Sequence, residues 1–142
     1  MDDARARELL GGARVARFAA VGAGGAPLVV PVCFALEGDI AYHAVDHKPK
    51  ATRRLARLAR LAAAPHATLL ADHYDDADWS ALWWVRAEGR ARILEDVTAP
   101  EAGRALGLLA ARYPQYRAQR PAGPVIALDV QRLVGWEAAA WR

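Results

Sequence analysis

The first stretch able to do chemistry is His47-Lys48-Pro49-Lys50-Ala51-Thr52-Arg53-Arg54. Of nineteen basic residues, the only lysines are Lys48 and Lys50, two positions apart. The stretch leads into residues 51–64, where Leu55, Leu58 and Ala62 repeat on one helical stripe and Arg53, Arg57 and Arg60 on another. A helix N-terminus presents unpaired amide donors and the positive end of the helix dipole. Lysines and arginines beside it make a site for a phosphate or carboxylate. The run of arginines would extend that charge toward an anionic ligand with a tail. The plain alternative is a solvated basic face.

A second stretch is acidic and aromatic: Asp72-His73-Tyr74-Asp75-Asp76-Ala77-Asp78-Trp79-Ser80, running into Leu82-Trp83-Trp84-Val85. Four aspartates and a histidine raise a metal site, but the central glycine and terminal glutamate of a calcium loop are absent. No metal is expected. Trp79, Trp83 and Trp84 could give a flat apolar wall to an aromatic ligand, or fill a barrel core or a subunit interface. Adjacent strand residues face opposite ways, so Trp83 and Trp84 cannot both do the same thing. His43 and His47 have the i, i+4 spacing of two ligands on a helix, but the segment reads as strand and loop. Cys33 lies in an apolar run with nothing adjacent to lower its pKa, so it reads as an inert core residue. No Gly-x-Ser-x-Gly nucleophile motif is present, which leaves hydrolase chemistry unsupported.

The elements that must position these residues alternate in period. Residues 2–10 read as a short amphipathic helix ending at Gly11-Gly12. Residues 15–21, 28–36 and 40–45 read as strands, separated by a glycine-rich turn at 22–27 and a tight turn at Glu37-Gly38-Asp39, giving a three-stranded meander. After the 51–64 helix, closed by Pro65, residues 66–71 and 82–94 read as strands, the second bent at Gly89. Residues 100–112 read as a helix with Pro100 in its first turn, ended by Tyr113-Pro114. A loop at 121–124 precedes a last strand over 125–134. Six strands in consecutive antiparallel order, with helices between, predict a mainly β, α+β fold, a small antiparallel barrel with flanking helices rather than a doubly wound parallel sheet. Gly22-Ala23-Gly24-Gly25 enters a strand rather than a helix, which argues against a dinucleotide-binding fold.

At 142 residues the chain predicts one domain, residues 1–142. A 54% hydrophobic, 25% charged composition is that of a globular chain and excludes disorder, collagen and coiled coil. No apolar run approaches the roughly 18–20 residues that span a bilayer, and the N-terminus opens on Asp2 and Asp3, so a cytoplasmic protein without membrane attachment is expected. One cysteine excludes an internal disulfide and a thiolate metal cluster. A net charge of +3 permits an anionic ligand or nucleic acid without demanding either.

Taken together, these residues resemble the pyridoxamine 5′-phosphate oxidase-like superfamily of flavin-binding split β-barrels, in particular its deazaflavin (coenzyme F420)-dependent reductases. The resemblance is carried by Gly25-Ala26-Pro27-Leu28-Val29-Val30-Pro31-Val32, by Lys48-Pro49-Lys50 with its helix, and by Asp72-His73-Tyr74 through Asp78-Trp79-Ser80. Leu82-Trp83-Trp84-Val85-Arg86-Ala87-Glu88-Gly89-Arg90-Ala91 completes it. These segments cover most of residues 13–95 in the family's order; the C-terminal part fits only in its final strand.

The resemblance implies a homodimer of six-stranded antiparallel split β-barrels, each subunit contributing to two cofactor sites in the interface groove. It implies that Pro31, Val32, Cys33 and Phe34 line the ring system with strand backbone, that Ala44 and Val45 approach it from the next strand, and that Lys50 binds the cofactor phosphate with Lys48, Arg54 and Arg57 assisting. Trp79 and Trp83 are implied on the far side of the groove. Many flavin mononucleotide (FMN) members carry an arginine beside the lysine equivalent to Lys50, where this chain has Pro49. A deazaflavin's polyglutamate tail would find a place along Arg53, Arg57 and Arg60. The expected activity is hydride transfer between the reduced deazaflavin and a small organic acceptor, with the proton coming from His43, Tyr74, His73 or water. The alternatives are an FMN-binding oxidase or flavin reductase, and a non-enzymatic cofactor- or haem-binding barrel or basic nucleic-acid module.

Overall fold

The computed structural model describes residues 1–45 and 51–138, with the side chains of 51–56 outside that description. The helices are α1 (Asp3–Gly12), α2 (Ala51–Ala63), α3 (Pro100–Arg112) and α4 (Pro114–Ala118). The strands are β1 (Ala16–Ala20), β2 (Leu28–Val32), β3 (Ala35–Glu37), β4 (Ile40–Ala44), β5 (His66–His73), β6 (Trp83–Leu94) and β7 (Val125–Glu137). Asp2 caps α1, its carboxylate accepting the Arg5 N–H at 2.8 Å. Pro100 occupies the first turn of α3, where its missing N–H costs nothing. No helix among the described residues is long and apolar enough to cross a membrane.

All strands among the described residues belong to one antiparallel sheet of seven, ordered β2-β1-β5-β6-β7-β4-β3. The expected count of six and the expected meander are therefore corrected. The run 28–36 is two strands, β2 paired to β1 and β3 paired to β4, with Cys33 and Phe34 between them. Nothing in the local pattern marks that break, because the run stays apolar through it. The break exists because the chain leaves one sheet edge and starts the other. Edge strands joined by two residues require the sheet to curl until its edges meet, and this makes the barrel and its seam.

Two apolar clusters follow from the alternation of side chains. Inside the barrel, Phe18, Leu69, Val85, Ile126 and Leu128 pack together, closed off by Leu10 of α1 and Leu61 of α2. Outside it, α3 lays Ala102, Ala105, Leu106 and Leu109 over Ala35, Tyr42, Ala44, Val125 and Ala127. Arg92 ties that helix down, bonding Glu101 through both terminal nitrogens at 2.8 and 2.9 Å and Asp129 at 2.6 Å. Glu101 also accepts the Tyr42 hydroxyl at 2.8 Å. The expected bend at Gly89 is present as a register shift in the β6–β7 ladder at Glu88/Gly89.

The remaining outer face of the sheet is covered by no helix among the described residues. One row across it runs Pro31, Arg17, Leu70, Arg86 and Val134; another sets Asp72, Trp84 and Trp136 side by side. Val29 is 59% exposed, Trp136 41% and Leu70 36%.

Candidate functional site

The residues expected around a cofactor ring gather at the seam. β2 ends at Val32 and β3 begins at Ala35, opposite Tyr42 of β4. Running that register on by two residues sets Cys33 level with Ala44, so the seam and the end of β4 are neighbours. Their side chains diverge. Val32, Phe34 and Val45 point into the barrel, Cys33 and Ala44 lie against the α3 cluster, and Pro31 stands on the uncovered outer face. What the segment offers a ligand is therefore backbone and edge rather than an apolar wall of side chains.

The seam is held by side chains that the sequence did not mark as functional. Tyr113, at the end of α3, accepts the Phe34 N–H at 3.1 Å, and its hydroxyl lies 2.9 Å from the Phe34 carbonyl and 3.0 Å from the Arg14 carbonyl. The Arg112 guanidinium sits 5.2 Å from the centre of the Phe34 ring and donates to the carbonyls of Gly11, at 2.7 Å, and Ala13. At the end of β4 the Val45 N–H bonds the Pro124 carbonyl at 3.0 Å. A Cβ on Gly123 would lie 2.5 Å from the Val45 oxygen, so only glycine lets that loop close against the strand. Tyr113 and Gly123 read in sequence as a helix terminator and a loop residue, and no local pattern reveals what they touch.

Directly after β4 come the basic residues. Lys48 and Lys50 lie outside the described residues, as does the side chain of Arg54. α2 follows with no acidic side chain in its first turn, which leaves its N-terminal positive end uncompensated within the helix. Arg57 is half-buried, and its charge reaches His43 on β4.

His43 is fully buried inside the barrel, 4.6 Å from the Phe18 ring centre, and its Nε2 has no hydrogen-bond partner among the described residues. Burial first, and then the Arg57 charge, push its pKa down to about 3. At neutral pH the ring is an uncharged imidazole, which removes it as an imidazolium proton donor. Tyr74 and His73 are exposed, and the Tyr74 hydroxyl donates to Asp76 at 2.9 Å.

Two carboxylates of the acidic stretch turn onto its own backbone. Asp75 accepts the Ala77 N–H at 2.9 Å, and Asp78 accepts the Ser80 N–H at 3.0 Å, holding a 3₁₀ turn over Trp79–Ala81. Among the described residues no three His, Cys, Asp or Glu side chains converge as metal ligands. Trp79 is 51% exposed on that turn. Trp83 packs against the barrel core, while Trp84 and Trp136 share the uncovered outer face, with the Arg86 guanidinium 5.4 Å from the Trp84 ring centre. Within one chain Trp83 and Pro31 therefore sit on opposite faces of the sheet. A surface cavity of about 420 Å³ over Ala19, Thr68, Glu88 and Arg132 is lined by none of the residues expected to bind cofactor.

Comparison with known proteins bears on this arrangement. A family model described as "Pyridoxamine 5'-phosphate oxidase" matches residues 2–137. No curated protein matches the chain. Among solved structures, a conserved hypothetical protein of Mycobacterium tuberculosis superposes with a TM-score of 0.76 at 19% identity, covering 99% of this chain and 88% of its own. A FAD-binding protein of Mesorhizobium loti gives 0.71 at 18% identity, covering 95% and 93%. The haem storage protein HutZ of Vibrio cholerae gives 0.71 at 14%, also covering 95% and 93%. These likenesses are of fold.

Proposed function

Because the chain belongs to the pyridoxamine 5′-phosphate oxidase family, we propose that it is a deazaflavin (coenzyme F420)-dependent oxidoreductase acting on a small organic acceptor. The observation that carries this reading is the junction of β4 with α2. The strand end that neighbours the seam leads, through the segment containing Lys48 and Lys50, into a helix with no acidic residue in its first turn.

The donor set fits an anionic cofactor. Lys50 binds the phosphate, Lys48 and Arg54 add charge, and Arg57 carries the positive face along α2 toward a polyanionic tail. The backbone of 31–34 lies against the ring, with Ala44 and Val45 on the neighbouring strand. When bound, the deazaflavin supplies the hydride, and the protein's part is to orient the ring, exclude water and leave an approach for the acceptor. His43, neutral and enclosed, does not supply the proton; Tyr74, His73 and water remain as sources.

The reading includes a homodimer, with Trp79 of a second copy approaching the groove. The uncovered outer sheet face supports it, since it leaves Val29, Leu70 and Trp136 exposed and Trp84 and Val134 half-buried, interspersed with Arg17 and Arg86.

A side-by-side titration of purified protein with oxidised coenzyme F420 and with FMN, followed by ligand and tryptophan fluorescence, tests the cofactor. Preference for the deazaflavin is expected, and preference for FMN would transfer the protein to the oxidase or flavin reductase reading. Lys50→Ala should weaken deazaflavin binding by about 1.5–3 kcal/mol, the loss of a charge-assisted contact. An unchanged Kd would remove Lys50 from the site.

A further inference from the structure

The seam between β2 and β3 is where the chain passes from one edge strand of the sheet to the other. Cys33 and Phe34 belong to neither strand. Phe34 instead directs both its N–H and its C=O at a single side-chain oxygen, the hydroxyl of Tyr113, at 3.1 and 2.9 Å. That oxygen also lies 3.0 Å from the carbonyl of Arg14, just before β1. One hydroxyl therefore joins three segments: the lead into β1, the seam, and the end of α3.

The surroundings hold the phenol in one pose. Its ring is 7% exposed and packs edge-on against Tyr116 at 5.8 Å, with the Arg14 and Arg112 guanidiniums 4.7 and 5.6 Å from its centre. Arg14 in turn donates to the Arg112 carbonyl at 2.8 Å. A buried hydroxyl so placed has little freedom, and neither has the peptide it holds.

We propose that Tyr113 is the positioning residue of the cofactor site: its hydroxyl clasps the seam and sets the line of the 31–34 backbone against which the cofactor ring binds. The inference rests on the cofactor reading above, and it assigns a role to a residue far from the basic junction in sequence and outside the ring-lining segment.

The test uses two single-hydroxyl deletions in the full chain. Tyr113→Phe keeps the ring and removes the clasp. Tyr42→Phe is the matched control, because it deletes another buried hydroxyl, on the strand beside the seam, that donates to Glu101 at 2.8 Å and not to the seam backbone. Three readouts are compared: thermal stability, amide exchange at Phe34, and the Kd and absorption band of bound coenzyme F420 and FMN. Both variants should lose stability. Only Tyr113→Phe should speed exchange at Phe34 and raise the Kd roughly tenfold, with the bound band moving toward that of the free cofactor. A Kd within twofold of wild type, or an equal rise in Tyr42→Phe, would overturn the positioning role. If wild type binds neither cofactor, the cofactor reading fails and takes the affinity claim with it. Exchange at Phe34 then judges the clasp alone, and retained protection in Tyr113→Phe overturns that as well.

Discussion

His43 shows how far a residue's chemistry depends on where its side chain points. By type it stands as a proton source, since its i, i+4 spacing from His47 makes a ligand pair only on a helix, and its burial in β4 removes that role. The same burial makes it a source of acid sensitivity. Unfolded, a histidine takes up a proton near pH 6.5; folded, this one stays neutral until about pH 3, so below 6.5 the unfolded chain binds more protons. Stability therefore falls as pH falls through that window. His43→Leu should abolish this component, so that wild type loses about 2 kcal/mol more than the variant between pH 7 and pH 5 in urea titrations. Equal losses would show that the ring titrates normally. Glu101, whose pKa the Arg92 guanidinium and the Tyr42 hydroxyl hold down at about 2, adds a further acid-labile component below the ordinary glutamate range in both proteins.

Elements were legible where their period was unbroken. The helices at 51–63 and 100–112 and the long strand at 83–94 stand nearly where their apolar spacing puts them, and the bend at Gly89 was visible as a glycine inside a strand pattern. What the glycine avoids was not visible: a Cβ there would lie 1.9 Å from the Asp129 carbonyl oxygen and 2.8 Å from its carbon. Both atoms belong to the β7 backbone, so the ladder itself must move. Gly89→Ala should destabilise by about 3 kcal/mol and lower the Tm by about 10 °C in calorimetry. A Tm within two degrees or so of wild type would mean that the bulge relaxes freely. The single strand expected at 28–36 is two strands for the opposite reason. Its apolar run crosses the seam without interruption, and the feature that divides it is the change of partner from β1 to β4.

At the scale of the whole molecule, the sheet spends its two faces differently. Its inner face closes on itself, and α3 covers only the part of the outer face built by β3 and β4, by the start of β7 and by the end of β6. The rest carries Trp84 and Trp136 with aliphatic neighbours and the cations Arg17 and Arg86. A second copy is the proposed cover. Light scattering should find wild type at about twice the 15.4 kDa chain mass and Trp136→Glu at the single-chain mass, since an introduced carboxylate in a desolvated centre is costly. A monomeric wild type would remove the dimer, and with it the place given to Trp79 across the groove.

By itself the sequence determined the mainly β class, most element positions, the β1–β2 hairpin and the family resemblance, because periodicity, turn residues and short motifs act over a few neighbouring residues. It also marked the basic junction before α2 as the place for an anion. Only the tertiary structure decided the strand count, the closure at Cys33-Phe34, the inward turn of Trp83 against the outward turn of Trp84, and the grip of Tyr113 on Phe34. Each of those depends on contacts between segments far apart in the chain. Such contacts are set by how the sheet curls and which of its faces a helix covers, and no local spacing of residues encodes them.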